Sequence, residues 1–162
     1  MTAVVQSIAG VAQPWAALYS ASRVVSSSVM FLHLGGLLLG GGGAVVADRA
    51  SLRAVNAPPI QQESHLRELA LTHRVVIIGL LATFVSGVLL ALSDVETFAT
   101  LWIFWLKMGL VGLLLLNGYV MQRTERALAT GRDAWRSLHR TAIVSLALWF
   151  IVVLVSTFLT SA

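Results

Sequence analysis

Hydrophobic and polar positions along this chain separate into long blocks rather than alternating. Apolar runs at about 24–47, 75–93, 99–121 and 141–159 are divided by short polar segments. Each run is long enough for a helix to cross roughly 30 Å of hydrocarbon. Ahead of them, Val4, Val5, Ile8, Val11, Trp15, Leu18 and Tyr19 fall roughly on one side of a helix, which Pro14 is expected to break or kink. Trp and Tyr favour the membrane–water boundary, so residues 1–22 read as an interfacial helix. They lack the basic start of a secretory signal. The expected architecture is all-α: an integral membrane four-helix up-down bundle over 23–162, preceded by the interfacial segment 1–22.

The blocks carry their own punctuation. Asp48, Arg49 and Arg53 close the first run, and Asn56-Ala57-Pro58-Pro59 predicts a turn with Pro59 at a helix start. Residues 61–74 then lead as a helix into the second run. The first run is rich in glycine, with Gly35, Gly36 and Gly40 to Gly43. Gly36 and Gly40 form a GxxxG, a spacing that lets two membrane helices approach closely. That face is a candidate contact with another copy of the chain or with a subunit of a larger redox complex.

Composition agrees with this pattern. The chain is 57% hydrophobic and 11% charged, about half the charge of a soluble domain. It has no cysteine, which excludes disulfides, thiolate metal sites and iron–sulfur clusters. The net charge of +4 sits beside apolar runs, so it reports membrane topology rather than nucleic-acid binding. Arg49, Arg53, Arg67, Arg74, Arg123, Arg126, Arg132, Arg136 and Arg140 lie in or beside the first and third connections; Arg23 and Lys107 belong to the other side. The positive-inside rule then places segments 48–74 and 122–140 in the cytoplasm and both termini outside. The expected location is a bacterial inner membrane, with the lipid bilayer as solvent.

The candidate chemistry is sparse. Thr72-His73-Arg74 and Leu138-His139-Arg140 each open an apolar run, and the two halves of the chain run in parallel. His33 stands fifteen positions before Asp48, as Lys107 stands fifteen before Gln122. In a simple bundle this puts His73 and His139 at one depth on diagonal helices, with His33 and Lys107 in a second layer about 20 Å away. Two facing imidazoles suit a b-type haem, with Arg74, Arg140 and Arg136 at the rim for its propionates. His33 would ligate a second haem, bind copper with Met30 and Met108, or hydrogen-bond across the bundle. Lys107 is costly inside a span and calls for a partner: His33, a propionate or iron itself. His65, with Glu63 and Glu68, reads as part of a solvated helix face. The functions these residues suggest are electron transfer through haem b, copper binding or transport, or a cofactor-free helper subunit; a binding or electron-transfer role is favoured over a stand-alone enzyme.

His33 followed by Gly35-Gly36, Ser86-Gly87-Val88-Leu89-Leu90, Leu106-Lys107-Met108 and Asn117 resemble the copper-resistance D-type (CopD-like) integral membrane family and its small four-helix relatives. The likeness covers about 30–117. It implies a helical bundle, His33 and Lys107 as site residues, and a role in copper handling.

Overall fold

A computed structural model describes residues Thr2–Leu159 as helices joined by short turns, with no strand among the described residues. Helix α1 spans Thr2–Ala21. It continues through Pro14 rather than breaking there, because one lost backbone hydrogen bond does not outweigh the packing of the rest. Trp15 fixes it to the bundle, its Nε1 donating to the Leu89 carbonyl at 2.8 Å.

The first long helix has three parts: α2 (Arg23–Leu37), a π-helical turn (Leu38–Gly42) and α3 (Gly43–Ala54). Ser22 caps it, its hydroxyl accepting from the Val25 amide. The glycine run predicted as a packing face also carries the π turn, where an extra residue widens the helix. Helix α3 continues seven residues past the predicted end of the first run. Helix α4 (Pro59–Ser93) starts with Pro59 in its first turn, as expected, and runs unbroken from the polar segment 61–74 into the apolar one. Asp94 is a helix cap: its Oδ1 accepts from Thr97 N at 3.2 Å and starts the short α5 (Val95–Thr100).

Helix α6 (Trp102–Ala129) outlasts its apolar run by two turns. Gly131 ends it with φ +80°, a left-handed conformation that favours glycine. The Gly131 amide donates to Leu128 O and the Arg132 amide to Ala127 O, each at 3.0 Å, which satisfies the last carbonyls. Helix α7 (Trp135–Leu159) follows after a short connection.

Four of these helices are long and apolar enough to cross a membrane: Arg23–Ala54, Pro59–Ser93, Trp102–Ala129 and Trp135–Leu159. Their outer faces carry large apolar side chains, as lipid contact requires. Helix α2 lies antiparallel against α4, α6 against α7, and α3 between α4 and α7. The crossing of the first long helix with α4 is close because glycine sits on both sides. A Cβ on Gly36 would meet Thr83 N at 2.7 Å, one on Gly40 would meet Leu80 N at 2.9 Å, and one on Gly79 would strike Gly40. The GxxxG face is therefore spent within the chain, on α4. At the other end Met121, Leu128, Leu138 and Ala142 form a core joined by Leu52, Leu66 and Trp135. One seam stays loose: α6 leans on α7 and touches α4 at few places.

Candidate functional site

That loose seam is a cleft of about 410 Å³. Leu69, Val76, Leu80 and Phe84 of α4 line one side, Leu114, Gly118, Tyr119 and Met121 of α6 the other, and Trp149 of α7 lies among the remaining lining residues. The lips are open sideways: Leu81, Phe84, Leu115 and Tyr119 are all more than half exposed. In a bilayer such an opening faces lipid tails. Gly118 in the α6 wall has open space where a side chain would stand, which keeps the cleft wide.

One end of the cleft is polar. Asp48 from α3 lines it and is only 2% exposed, with its carboxylate facing Ser145 of α7. His73 of α4 lines the same end, its Nδ1 facing Glu125 Oε2 of α6 at 3.4 Å. Glu125 is close enough to Asp48 for their charges to interact. Among the described residues, the buried side-chain atoms left without a hydrogen-bond partner are Asp48 Oδ2 and Glu125 Oε1. Buried polar atoms are nearly always satisfied, and an exception calls for a reason. Here both exceptions fall at one place, beside a cavity.

Below this end, Ser51 and His65 share a buried hydrogen bond of 3.1 Å between Oγ and Nε2. His65 is 9% exposed, which corrects its reading as part of a solvated face. The α3–α4 contact folds it inward, while Glu63 and Arg67 take the outer side of the same helix as an exposed pair at 2.7 Å.

The structure places the other candidate residues as follows. His139 is exposed on α7 and does not line the cleft, so His73 and His139 are not brought together. Both lie near one end of the bundle, but α7 turns Leu138, Thr141 and Ala142 inward, and the neighbouring His139 points away. Arg74, Arg136 and Arg140 are exposed as well. His33 is half-buried on α2, its Nδ1 within 3.1 Å of both the Thr83 carbonyl and the Ser86 hydroxyl. A Cβ on Gly87 would meet His33 Cε1 at 3.3 Å, so the glycine makes room for the ring. Lys107 is near enough for its charge to bear on His33, as the shared layer predicted. Met30 and Met108 are 41% and 40% exposed, on the apolar outside of the helices. No group of three or more metal-binding side chains occurs among the described residues.

Reasoning from sequence missed Asp48, Glu125 and Ser145. The two acids stand among arginines at the ends of apolar runs, and the positive-inside pattern absorbed them as boundary charge. A usable signal was present: Asp48 directly follows the run at 24–47, which holds no charged residue, and an acid next to hydrocarbon requires a partner.

Comparison of the chain with protein-family models, with curated proteins and with solved structures finds no match.

Proposed function

We propose that this protein is an integral membrane binding protein, of the carrier or receptor kind, that takes a lipophilic solute into the cleft between α4 and α6. The observation that carries this reading is the partnerless carboxylate oxygen of Asp48 in the lining of the cleft, with that of Glu125 near it. An apolar pocket ending in a few convergent polar groups is the usual form of a small-molecule site. Buried charge of this kind reduces stability, so its retention points to use. The positive-inside distribution supports an up-down bundle with both termini outside and the polar end of the cleft toward the cytoplasm, in a bacterial inner membrane. The test is equilibrium binding of small aryl-alkyl compounds to the protein in lipid nanodiscs. Saturable binding that a bulky residue at Gly118 abolishes supports the cleft as the site; binding unchanged by Gly118→Leu removes it.

A second reading, b-type haem binding, is favoured by the setting of His73. A ligating histidine typically gives its other ring nitrogen to a carboxylate or carbonyl, and the Nδ1 of His73 faces Glu125. The walls of the cleft are mostly apolar, and His73 is the residue that would hold such a group there. His139 does not reach the cleft, so a bis-imidazole haem at this end lacks its second ligand. One-electron transfer is the chemistry a haem would supply. A visible spectrum separates the readings: a Soret band lost in His73→Ala establishes the haem, and its absence in protein from haem-replete cells removes it.

A further inference from the structure

We infer that the ligand of the α4–α6 cleft is a lipophilic organic cation, a protonated amine on an apolar aryl or alkyl body, with Asp48 as its counter-charge. This rests on the cleft reading above and names the chemical class it takes.

The argument starts from charge. Asp48 lines the polar end of the cleft, and Glu125 is close enough to it for their charges to interact. One histidine, His73, lines this end, and its Nδ1 faces Glu125. No lysine or arginine is among the residues that line the cleft. Arg49 and Arg126, the neighbours of Asp48 and Glu125 in the chain, are both exposed, and the Arg123 guanidinium lies over the Tyr119 ring at 4.9 Å. Tyr119 is itself half exposed at the lip, which keeps that cation on the outside. The cleft end is thus short of positive charge, and its unsatisfied atoms are acceptors only.

Geometry narrows the class further. Asp48 is almost wholly buried, and its Oδ2 has no partner. Ser145 faces the carboxylate from α7, which steadies it. An N–H donor arriving along the cleft satisfies Oδ2 and supplies the missing charge at once. The walls from Leu80 to Phe84 and from Leu114 to Tyr119 are apolar and aromatic, so the body of the ligand is hydrophobic. Phe84 and Trp149 in the lining add aromatic surface that attracts a cation. A carboxylic acid of the same shape meets repulsion, and a neutral alcohol makes only one weak hydrogen bond.

The experiment uses the full chain in nanodiscs and three molecules of one shape: 4-phenylbutylamine, 4-phenylbutan-1-ol and 4-phenylbutyrate. Binding is measured by calorimetry, with partition into empty nanodiscs subtracted. The amine is expected to bind saturably, the alcohol at least about tenfold more weakly, as the loss of a charge-assisted hydrogen bond predicts. The butyrate is expected not to bind. Asp48→Asn should weaken the amine by at least about tenfold and leave the alcohol unchanged. If amine and alcohol bind equally well, the cleft stands and the cation class is overturned. Binding of none of the three overturns both. Retention of amine binding in Asp48→Asn overturns the role of Asp48. The series of three ligands on the unmodified protein decides the class even where a variant fails to fold.

Discussion

His33 sits between the Thr83 carbonyl and the Ser86 hydroxyl, each 3.1 Å from one ring nitrogen, with Gly87 under the ring. Asp48, toward the other end of the bundle, keeps one carboxylate oxygen buried beside a 410 Å³ cleft with no partner at all. Both are polar side chains in apolar helices, and the cost of burial is the same kind of cost. In the first case the α2–α4 crossing is close enough for α4 to supply acceptor and hydroxyl together. In the second, α6 stands off from α4, and nothing in the chain fills the gap. The difference separates two roles. A satisfied group in a tight crossing holds helices together, whereas an unsatisfied one beside a cavity is available to something else.

The comparison can be broken most sharply at the crossing itself. Gly79→Ala drives a methyl into the backbone of Gly40, with no flexible side chain to move aside. Overpacking of this sort costs about 1–3 kcal/mol or more. The thermal midpoint in detergent should fall by many degrees, whereas Gly109→Ala, with open space around it, should leave it unchanged. Equal effects at the two glycines would mean that the crossing is not what holds the helices.

Next in size is Ser51→Ala, which leaves His65 Nε2 buried without a partner. The expected loss is about 1–3 kcal/mol, read from the same unfolding midpoints. No loss would return His65 to the solvated face first expected for it.

Asp48→Asn should act in the opposite direction. Removing a buried, unpaired charge is expected to raise stability, by on the order of 1 kcal/mol, while amine binding weakens. A marked fall in stability would show that the carboxylate is a structural group like His33, and the contrast between the two regions would collapse.

The smallest effect belongs to the exposed pair of Arg67 and Glu63. Glu63→Gln should change stability by no more than about 0.5 kcal/mol. A larger change would assign this outer face of α4 a contact beyond the chain.

Much of this was legible in the residue order. Long apolar blocks impose helices, because no other isolated segment satisfies its backbone in hydrocarbon. Pro58-Pro59 marked the start of α4, and Gly36 and Gly40 marked a close helix contact. Equal spacing along two helices predicts His33 and Lys107 at equal depth, and Lys107 is near enough for its charge to bear on His33. Depth, however, is only one of two coordinates on a helix. The other is the angle around the axis, and weakly amphipathic membrane helices barely encode it.

That second coordinate is where tertiary structure decided the outcome. His73 and His139 begin their apolar runs alike, yet packing turns Leu138 and Ala142 inward and leaves His139 outside. The same packing turns His65 in and leaves Glu63 out on the opposite side of α4. The partner of the glycine face was also open in sequence, since close approach is a property of two surfaces and only one of them is the motif. Asp48, Glu125 and Ser145 come from three helices, and no local pattern connects them. They meet because α6 packs on α7 and stands off from α4, leaving a space that belongs to no single stretch of chain.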